Sequence, residues 1–587
     1  MKENKKRILI LGAGLMQGPA IRAAKELGCE VIAVDGNPNA VCAKEADKFF
    51  PIDLKDIPSL IDLAKSLKEK GLHGVFTAAT DFSVSVAAIA ESCSLPGHSL
   101  EAARRASDKV LMRECFEKHG VPSPKFTHIF KNEIDEALQI LKQKAIPFPI
   151  TVKPADNMGA RGCRLVYSQD ELRPALEDAV NFSRSGKAIA EEFIDGEEFS
   201  LEALVINGEI FLNALADRHI FFPPYFVEMG HTIPSIKSKE ECDELIRVFF
   251  LGIKALGLTN GAAKGDIFLR KADPKKNGKR TACVGEIAAR LSGGYMSGWT
   301  VPYSSGLDIT AAALTLALGG SPRLHTCGKD SFIIPLKQNC QFVSAERAWI
   351  SIPGQVAAVS GLEAARAAPF VKDVFPRAGA GDTVVFPQNN VEKCGNVLSA
   401  APSRREAVQA SEAACRKIVL RLKPHVAETE AFLADVRSPA EQQAFPPNFL
   451  QFTEPLAGAD AAASDVFFDR LLADAAYEEK DGFVLPSFLT AALDSARDLQ
   501  GRTLRELLRQ ALELEPGLAA VLCSVPAESS GSAPVVPAEK SAVMSVAVPT
   551  ESRGSASADM QRKNGYWKAL IRGGLQGLLY RYDCEKA

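Results

Sequence analysis

The chain has 587 residues, with 69 Lys and Arg against 72 Asp and Glu and a formal net charge of −3. That balance excludes a surface built throughout to grip nucleic acid or anionic membrane. With 46% hydrophobic and 24% charged residues, the composition suits a globular protein with more than one core and excludes fibrous or wholly disordered chains.

At about 150 residues per domain, the length suggests roughly four domains. The 13 cysteines are scattered without a C-x-x-C pair, which reads as reduced thiols and not as a disulfide framework or a zinc site. The first apolar run, residues 8–11, is far shorter than a signal-peptide core and runs into glycines. No stretch approaches the roughly 18 apolar residues that span a bilayer. Cytoplasmic residence is expected.

In chain order, residues 7–11 predict a short buried strand, 20–27 a helix, and 31–34 a strand ending at Asp35. A helix at 57–70, a strand at 74–77 and a helix at 84–93 continue the alternation, which predicts βαβ units and a parallel sheet. A helix at 108–119 ends at Gly120. From about residue 147 the strands lengthen and pair in antiparallel fashion, at 150–153, 164–167, 188–193, 199–206 and 209–216. Asn207-Gly208 supplies a two-residue hairpin turn. A helix at 239–256, strands at 262–269 and 281–287 and a helix at 308–318 follow. Short strands fill 331–423, closing with a helix at 404–422.

Beyond Pro424, Ala- and Leu-rich helices are expected at 463–477 and 489–514. Residues 524–559 read as a flexible Ser/Ala/Pro/Val linker. Residues 560–587 form a basic amphipathic tail carrying Trp567, Leu570, Ile571, Leu575, Leu578 and Leu579. It reads as a helix for a membrane surface or a partner groove, or more simply as one that packs on its own protein or its dimer mate. The expected divisions are 1–115, 116–330 with a subdomain at about 125–195, 331–425, 426–523, 524–559 and 560–587.

Four segments could carry chemistry. Gly12-Ala-Gly14-Leu-Met-Gln-Gly18 follows the first strand, and Asp35 ends the second. Glycines let backbone approach a phosphate at a helix N-terminus and an acid takes a ribose hydroxyl, so a dinucleotide turn is one reading. Gln17 stands where such turns usually have small or apolar residues, which favours a tight turn serving another ligand. In Ile150-Thr-Val-Lys153-Pro154 an apolar strand delivers a lysine, and a loop containing Gly159 and Gly162 follows. The lysine can neutralise phosphate charge while loop amides close over a terminal phosphoryl group. A surface lysine before a hairpin would read the same way.

In Ala188-Ile-Ala-Glu191-Glu192-Phe193-Ile194-Asp-Gly-Glu-Glu198, two carboxylates interrupt an apolar strand. This suits a hinge for adenine, with Glu191 and backbone groups at the base edge, Phe193 and Ile194 packing nearby and Glu198 at the ribose. An edge strand with solvated acids is the bland alternative. Asp266 in Gly265-Asp-Ile-Phe-Leu and Glu286 in Val284-Gly-Glu-Ile-Ala-Ala-Arg290 are acids set within apolar strands, where an unpaired carboxylate is costly. On neighbouring strands they would suit Mg²⁺, with Arg290 placed to steady a phosphoryl or carboxylate group. A buried salt bridge between Arg290 and either acid is the alternative.

Taken in this order over about residues 6–423, the segments resemble the ATP-grasp superfamily of carboxylate ligases, within it the branch holding biotin carboxylase, the purine-pathway ligases and L-amino-acid ligases. The resemblance implies an α/β and α+β architecture: an ATP-grasp fold with an N-terminal Rossmann-like pre-ATP-grasp domain, a small C-terminal subdomain and an appended helical region. It implies that Lys109 and Lys153 bind ATP phosphates and that residues 156–162, with Gly159 and Gly162, form the lid. Glu191, Glu192, Phe193 and Ile194 would be the adenine hinge and Glu198 the ribose acid. Asp266 and Glu286 would hold Mg²⁺ or Mn²⁺, and Arg290 would steady an acyl phosphate.

The segment from Asp217-Arg218 through Phe226-Val-Glu228-Met-Gly-His231-Thr-Ile-Pro234 is similar to the region over the acceptor substrate in amino-acid ligases. That makes Glu228 and His231 expected substrate contacts, with Arg347 as a substrate-side arginine. Under this resemblance Gly12, Gly14 and Gln17 frame a substrate or structural turn, with no NAD. The sequence departs from the pattern in a lid with fewer glycines, in Ala288 where many relatives have Asn, and in lacking a biotin-attachment Met-Lys-Met. The activity implied is transfer of the ATP γ-phosphoryl group to a small carboxylate, followed by attack of an amine. Two alternatives stand beside it: a bicarbonate-using carboxylase or carbamoyl-phosphate-synthase-like enzyme, and a non-catalytic ATP-binding scaffold. The partners expected are a small carboxylate and an amine, with no nucleic acid, and a homodimer.

Overall fold

The computed structural model describes residues 5–272, 278–322, 340–437, 441, 444–452, 477–480, 483–486, 492–522 and 555–587. The chain divides into two compact units, one of residues 1–349, 362–376 and 387–415, the other of 350–361, 377–386 and 416–587.

The first unit opens with strands whose near-continuous apolar sequence fits a sheet covered on both faces. β1 (Arg7–Leu11), β2 (Glu30–Val34), β3 (Lys48–Phe50) and β4 (Leu72–Phe76) pair in parallel in the order β3-β2-β1-β4. Ile8 through Leu11 are fully buried. Helices α1 (Gly18–Glu26), α2 (Ile57–Lys68) and α3 (Ser83–Ser92) alternate with these strands as expected. α4 (Leu100–Ser107) leads into α5 (Lys109–His119). Asp108 caps α5 by accepting from the amides of Val110 and Leu111, and Gly120, at φ 65°, ends it. The cap places Lys109 in the first turn.

A second layer is the antiparallel sheet of β5 (Phe126–Phe130), β6 (Ile150–Pro154), β7 (Arg164–Val166) and β8 (Lys187–Glu192), ordered β5-β8-β6-β7, with α6 (Ala137–Gln143) and α7 (Gln169–Phe182). Sequence reading misses β5, α6 and α7. The buried face of α7 includes two alanines, and Pro174 lies inside it, so its apolar stripe is faint.

The largest sheet has eight strands: β9 (Gly196–Ile206), β10 (Glu209–Phe221), β11 (Val227–Ile233), β12 (Gly261–Arg270), β13 (Ala282–Ala288), β14 (Val343–Trp349), β15 (Val371–Pro376) and β16 (Gly395–Ala401). Their order is β13-β12-β9-β10-β11-β14-β16-β15, all antiparallel. Asn207 and Gly208 make the β9–β10 turn, both with positive φ, which matches the twist of the flanking strands. α8 (Lys239–Leu256) begins with a Ser238/Glu241 capping box and ends at Gly257. Phe116, Leu201, Phe249, Ile253, Val284 and Ile287 share the core that α5 and α8 build on this sheet.

In the second unit, strands Gly354–Ser360, Thr383–Val384 and Val419–Leu422 form a small antiparallel sheet. The helix expected to 422 therefore stops at Lys417. Val-Leu-Arg-Leu suits either state in isolation, and pairing with the neighbouring strand decides it. α9 (Ala427–Ala434), α10 (Leu504–Leu514) and α11 (Ser555–Lys586) complete the unit's main helices, and α11 is two helices joined across a kink at Gly574, which lets Glu585 fold back to Arg562 and Tyr566. α10 starts at a Thr503/Glu506 capping box, not at 489, and Arg497–Asp498 upstream is a strand paired with Leu450–Gln451. Of the helix expected at 463–477, residues 463–476 lie outside the described residues and Tyr477 begins a strand. Residues 524–554 of the expected linker also lie outside them, and α11 begins within its last five residues.

α11 carries the amphipathic tail, and Trp567, Leu570, Ile571, Leu575, Leu578 and Leu579 are all buried against Leu504, Leu507, Leu508 and Leu518. The apolar stripe thus completes the core of its own unit, so it is not presented to a membrane or a partner groove. Among the described residues no helix is long and apolar enough to cross a membrane. Removing a buried indole leaves a cavity, so Trp567→Ala should cost about 3–5 kcal/mol, read as a loss of unfolding free energy in a denaturant titration. A change below about 1 kcal/mol would mean that the stripe contributes little to this core.

Candidate functional site

The two expected lysines meet a chain of buried charges. Glu191, at the end of β8 and only 1% exposed, accepts from Arg113 Nε at 2.7 Å and from Lys153 Nζ at 2.9 Å. Arg113, on α5 and equally buried, also donates to the carbonyl of Gly285. One guanidinium thereby ties β8, which carries Glu191, and β13, which carries Glu286, to α5. Burial alone would raise the Glu191 carboxyl, but Arg113 and Lys153 overcome it and hold the group at about 2. Each oxygen thus accepts from one cation. Glu192 likewise pairs with Arg270 at 2.9 Å. Phe193 is half-buried and Ile194 buried where β8 passes to β9.

Lys109 is buried with its Nζ 3.5 Å from Glu286 Oε1, and it donates at 2.9 Å to the carbonyl of Asn157 in the loop after β6. Burial lowers the Lys109 ammonium but the Glu286 charge outweighs it, so the group stays raised and charged. The loop turns through Gly159 and Gly162, both at positive φ. A Cβ at Gly162 would come within 2.9 Å of the Phe182 ring. Gly159 is anchored by the amide of Asn390, which donates to its carbonyl at 3.1 Å.

Asp266 and Glu286 face each other directly across β12 and β13, the spacing at which side chains on neighbouring strands meet. Glu286 is partly exposed and held below its usual range by Lys109 against the effect of burial. Asp266 is held at about 2, where Arg218 and then Lys264 outweigh burial. Two opposed carboxylates of this kind fit a hard divalent cation such as Mg²⁺.

Arg218, on β10, binds three carboxylates at once: Asp266 Oδ1 at 2.8 Å, Glu228 Oε2 at 2.7 Å, and Glu198. Burial disfavours its charge, yet the three acids hold it well above the ordinary arginine value. Glu198, expected beside a ribose, shares this guanidinium with Asp266, and burial leaves its carboxyl raised. Sequence reading missed Arg218 as a hub because nothing in Ala-Asp-Arg-His marks three partners on three other strands.

Arg290 leaves β13 with Nη1 donating to the Leu291 carbonyl at 3.1 Å and Nε buried without a partner. It forms no ion pair with Asp266 or Glu286. A buried guanidinium edge without an acceptor suits an incoming anion. Glu202, a fully buried acid on β9, accepts from the Ser292 amide at 2.6 Å and from the Ser297 hydroxyl. It pins the loop after Arg290 back across the sheet.

The glycine turn after β1 supports the same loop. Gln17 folds into it, accepting from the Gly14 amide and donating at 2.6 Å to the Ala78 carbonyl, and Ala78 pairs with Leu291. Asp35 accepts from the Ala13 amide. The turn that reads as a nucleotide motif is thus filled by its own side chains.

His231 is 1% exposed, with Nε2 at 2.6 Å from Thr300 Oγ1 and Nδ1 at 2.9 Å from Glu346 Oε2. Both ring nitrogens face neighbouring side chains, and His231 stands opposite Arg218 in the register of β10 and β11. Arg347 is held by Glu412, the His231 carbonyl and its own Glu346 carbonyl, which removes it as an open anion site.

Because Glu191 titrates near 2 in the folded chain against 4.5 for the free group, its stabilising effect is complete above pH 4.5. It is lost as pH falls toward 2, by about 3 kcal/mol in all. Glu191→Gln should flatten that acid limb in unfolding titrations. An unchanged limb would mean that Glu191 is not the charged partner of Arg113 and Lys153.

Comparison with known proteins places these residues in a family. Residues 106–290 match the family model described as ATP-grasp domain, and residues 348–423 match L-amino acid ligase C-terminal domain 2. Among curated proteins, the C-terminal section of the carbamoyl phosphate synthase large chain of Methanocaldococcus jannaschii is 27% identical over 384 residues, covering 60% of this chain and 56% of that protein. The large chain from Pseudomonas aeruginosa is 26% identical over 334 residues, 51% of this chain and 30% of that one. The chain spans about half the length of the first of these relatives and less than a third of the second.

Among solved structures, L-amino acid ligase from Bacillus licheniformis superposes with a TM-score of 0.61 at 22% identity over 72% of this chain and all of that one. Phosphoribosylglycinamide synthetase from Anaerococcus prevotii gives 0.54 at 23% over the same shares. At these identities the structures speak for the fold alone. Opposed acids, two lysines and a glycine-bearing loop thus lie within the stretch matched as an ATP-grasp domain: residues 106–290 form an ATP-grasp domain.

Proposed function

We propose that the chain is an ATP-dependent ligase that phosphorylates a small carboxylate and joins the acyl phosphate to an amine. The observation that carries this reading is the Asp266–Glu286 pair facing across β12 and β13 with Lys109 beside Glu286, followed four residues after Glu286 by Arg290, whose Nε is buried without a partner. The L-amino acid ligase C-terminal domain match supports an amino-acid-like substrate class.

In this reading the backbone of residues 191–194 receives adenine, Glu192, Phe193 and Ile194 frame it, and Glu198 lies on the ribose side. Lys109 and Lys153 neutralise the ATP phosphates, and Glu191 and Arg113 fix Lys153 in place. Asp266 and Glu286 hold Mg²⁺ or Mn²⁺, which when bound supplies charge neutralisation at the phosphates. Phosphoryl transfer depends mainly on positioning and electrostatics, and this site provides both through side chains fixed by buried partners. Gly159 and Gly162 let the 156–162 loop close over the terminal phosphate and exclude water from the acyl phosphate.

Arg290 accepts the substrate carboxylate and stabilises the oxyanion formed when the amine attacks. Glu228 orients the substrate side of the pocket through Arg218, with His231 supporting that pair from below. Domain divisions at about residues 115, 330 and 425 accompany this reading. So do cytoplasmic residence and a homodimer.

A second reading, bicarbonate as the carboxylate, is favoured by the carbamoyl phosphate synthase relatives. ADP formation with Mg-ATP against pooled amino acids, small organic acids and bicarbonate separates the two. Release that requires an acid together with an amine supports the ligase, and release with bicarbonate alone supports the second reading. Silence in every pool with ATP still bound sinks both and leaves a nucleotide-binding scaffold. In the active pool, Glu286→Gln and Lys153→Met should each lower kcat by about 10²–10³, measured as the initial rate of ADP release.

A further inference from the structure

The second unit contains a donor cluster that the proposed chemistry does not use. His425, at φ 58°, lies in the turn between the strand Val419–Leu422 and α9, Glu430 is in the first turn of α9, and Cys584 is in the last turn of α11. One nitrogen of the His425 ring, Sγ of Cys584 and a carboxylate oxygen of Glu430 all lie within 4.8 Å of one another. Cys584 Sγ is 3.7 Å from Glu430 Oε1 and accepts from the His425 amide at 3.5 Å. Tetrahedral zinc with bonds of about 2.0–2.3 Å sets its ligand atoms roughly 3.3–3.8 Å apart, so the trio needs little movement to enclose an ion.

The charge state of the cluster favours a cation. Among the described residues the Glu430 carboxylate is met only by the neutral Tyr580 hydroxyl, at 3.1 Å, and the Cys584 thiol, and none forms an ion pair with it. The His425 ring makes no hydrogen bond among the described residues. A comparable trio in the first unit, Glu228, His231 and Glu346, differs on this point, because Arg218 and Lys393 already answer its carboxylates.

We propose that His425, Glu430 and Cys584 bind one Zn²⁺ ion, with water in the fourth position, as a clip fastening the last turn of α11 to the start of α9. Thiolate, imidazole and carboxylate are the donor types that zinc takes. On binding, the Cys584 thiol releases its proton to solvent and a Zn–S bond forms, with no change of oxidation state. The ion would hold in place the end of a helix whose apolar face completes the unit's core.

The test uses the full chain, stripped of metal and titrated with Zn²⁺ and separately with Co²⁺. The expected result is one tightly held zinc per chain by elemental analysis, a thiolate-to-cobalt charge-transfer band, and a melting temperature that rises with Zn²⁺. Cys584→Ser should lose the band and the bound zinc, and His425→Ala should lose the tight binding while melting like the metal-free parent. Glu286→Gln should keep the band, because an oxygen-only site near the phosphates produces none. Cobalt binding without the band, or zinc and band retained in Cys584→Ser, would overturn the clip.

Discussion

The first unit depends on one buried guanidinium. Arg218 sits among Asp266, Glu198 and Glu228, three acids that could not share so small a volume without it. Burying carboxylates is costly, and removing one partner of such a cluster costs more than the cluster contributes as a whole. The sheet is therefore committed to this arrangement, and it fixes the orientation of Asp266 relative to Glu286. Lys264, which also reaches Asp266, adds a second positive charge. Asp266 is thus held below its usual range where a divalent cation needs a carboxylate.

A second buried pair organises the other half of the site. Arg113 and Glu191 are both only 1% exposed, and they join α5, β8 and β13. Lys153 takes its position from Glu191, and the carbonyl of Gly285, next to Glu286, takes its position from Arg113. The lysine and the acid that would share a nucleotide's phosphates are thus referenced to one helix. Glu202 does the same for the segment after Arg290, reached from the other side by Gln17 through Ala78. The groups that would touch the nucleotide stand on strands and in the first turn of α5, and buried charges on neighbouring elements place them.

Much of this was legible in the sequence. Asp266 and Glu286 stand out as acids in apolar strands, Lys153 as a lysine before a glycine-bearing loop, and Asn207-Gly208 as a hairpin turn, because each signal is local. The amphipathic tail was legible as a helix, but amphipathicity reports only that one face must be covered and is silent on what covers it. The roles of Glu191 and His231 were not legible either. A carboxylate next to a strand end reads the same whether it faces a base or a buried arginine, and a histidine in a strand says nothing of the Thr300 and Glu346 side chains at its two ring nitrogens.

The sequence by itself determined the alternation of strands and helices in the first hundred residues, the helices beginning near Asp108 and Ser238, and the acids that must find partners. These follow from backbone preferences and from the cost of burying charge, both carried by a few adjacent residues. Only the tertiary structure decided which charges answer one another. Arg113 and Gly285 are 172 residues apart in the chain, and His425 and Cys584 are 159 apart. Electrostatic and coordination energies depend on distance through space and on exclusion of water, and neither quantity is written in the spacing along the chain.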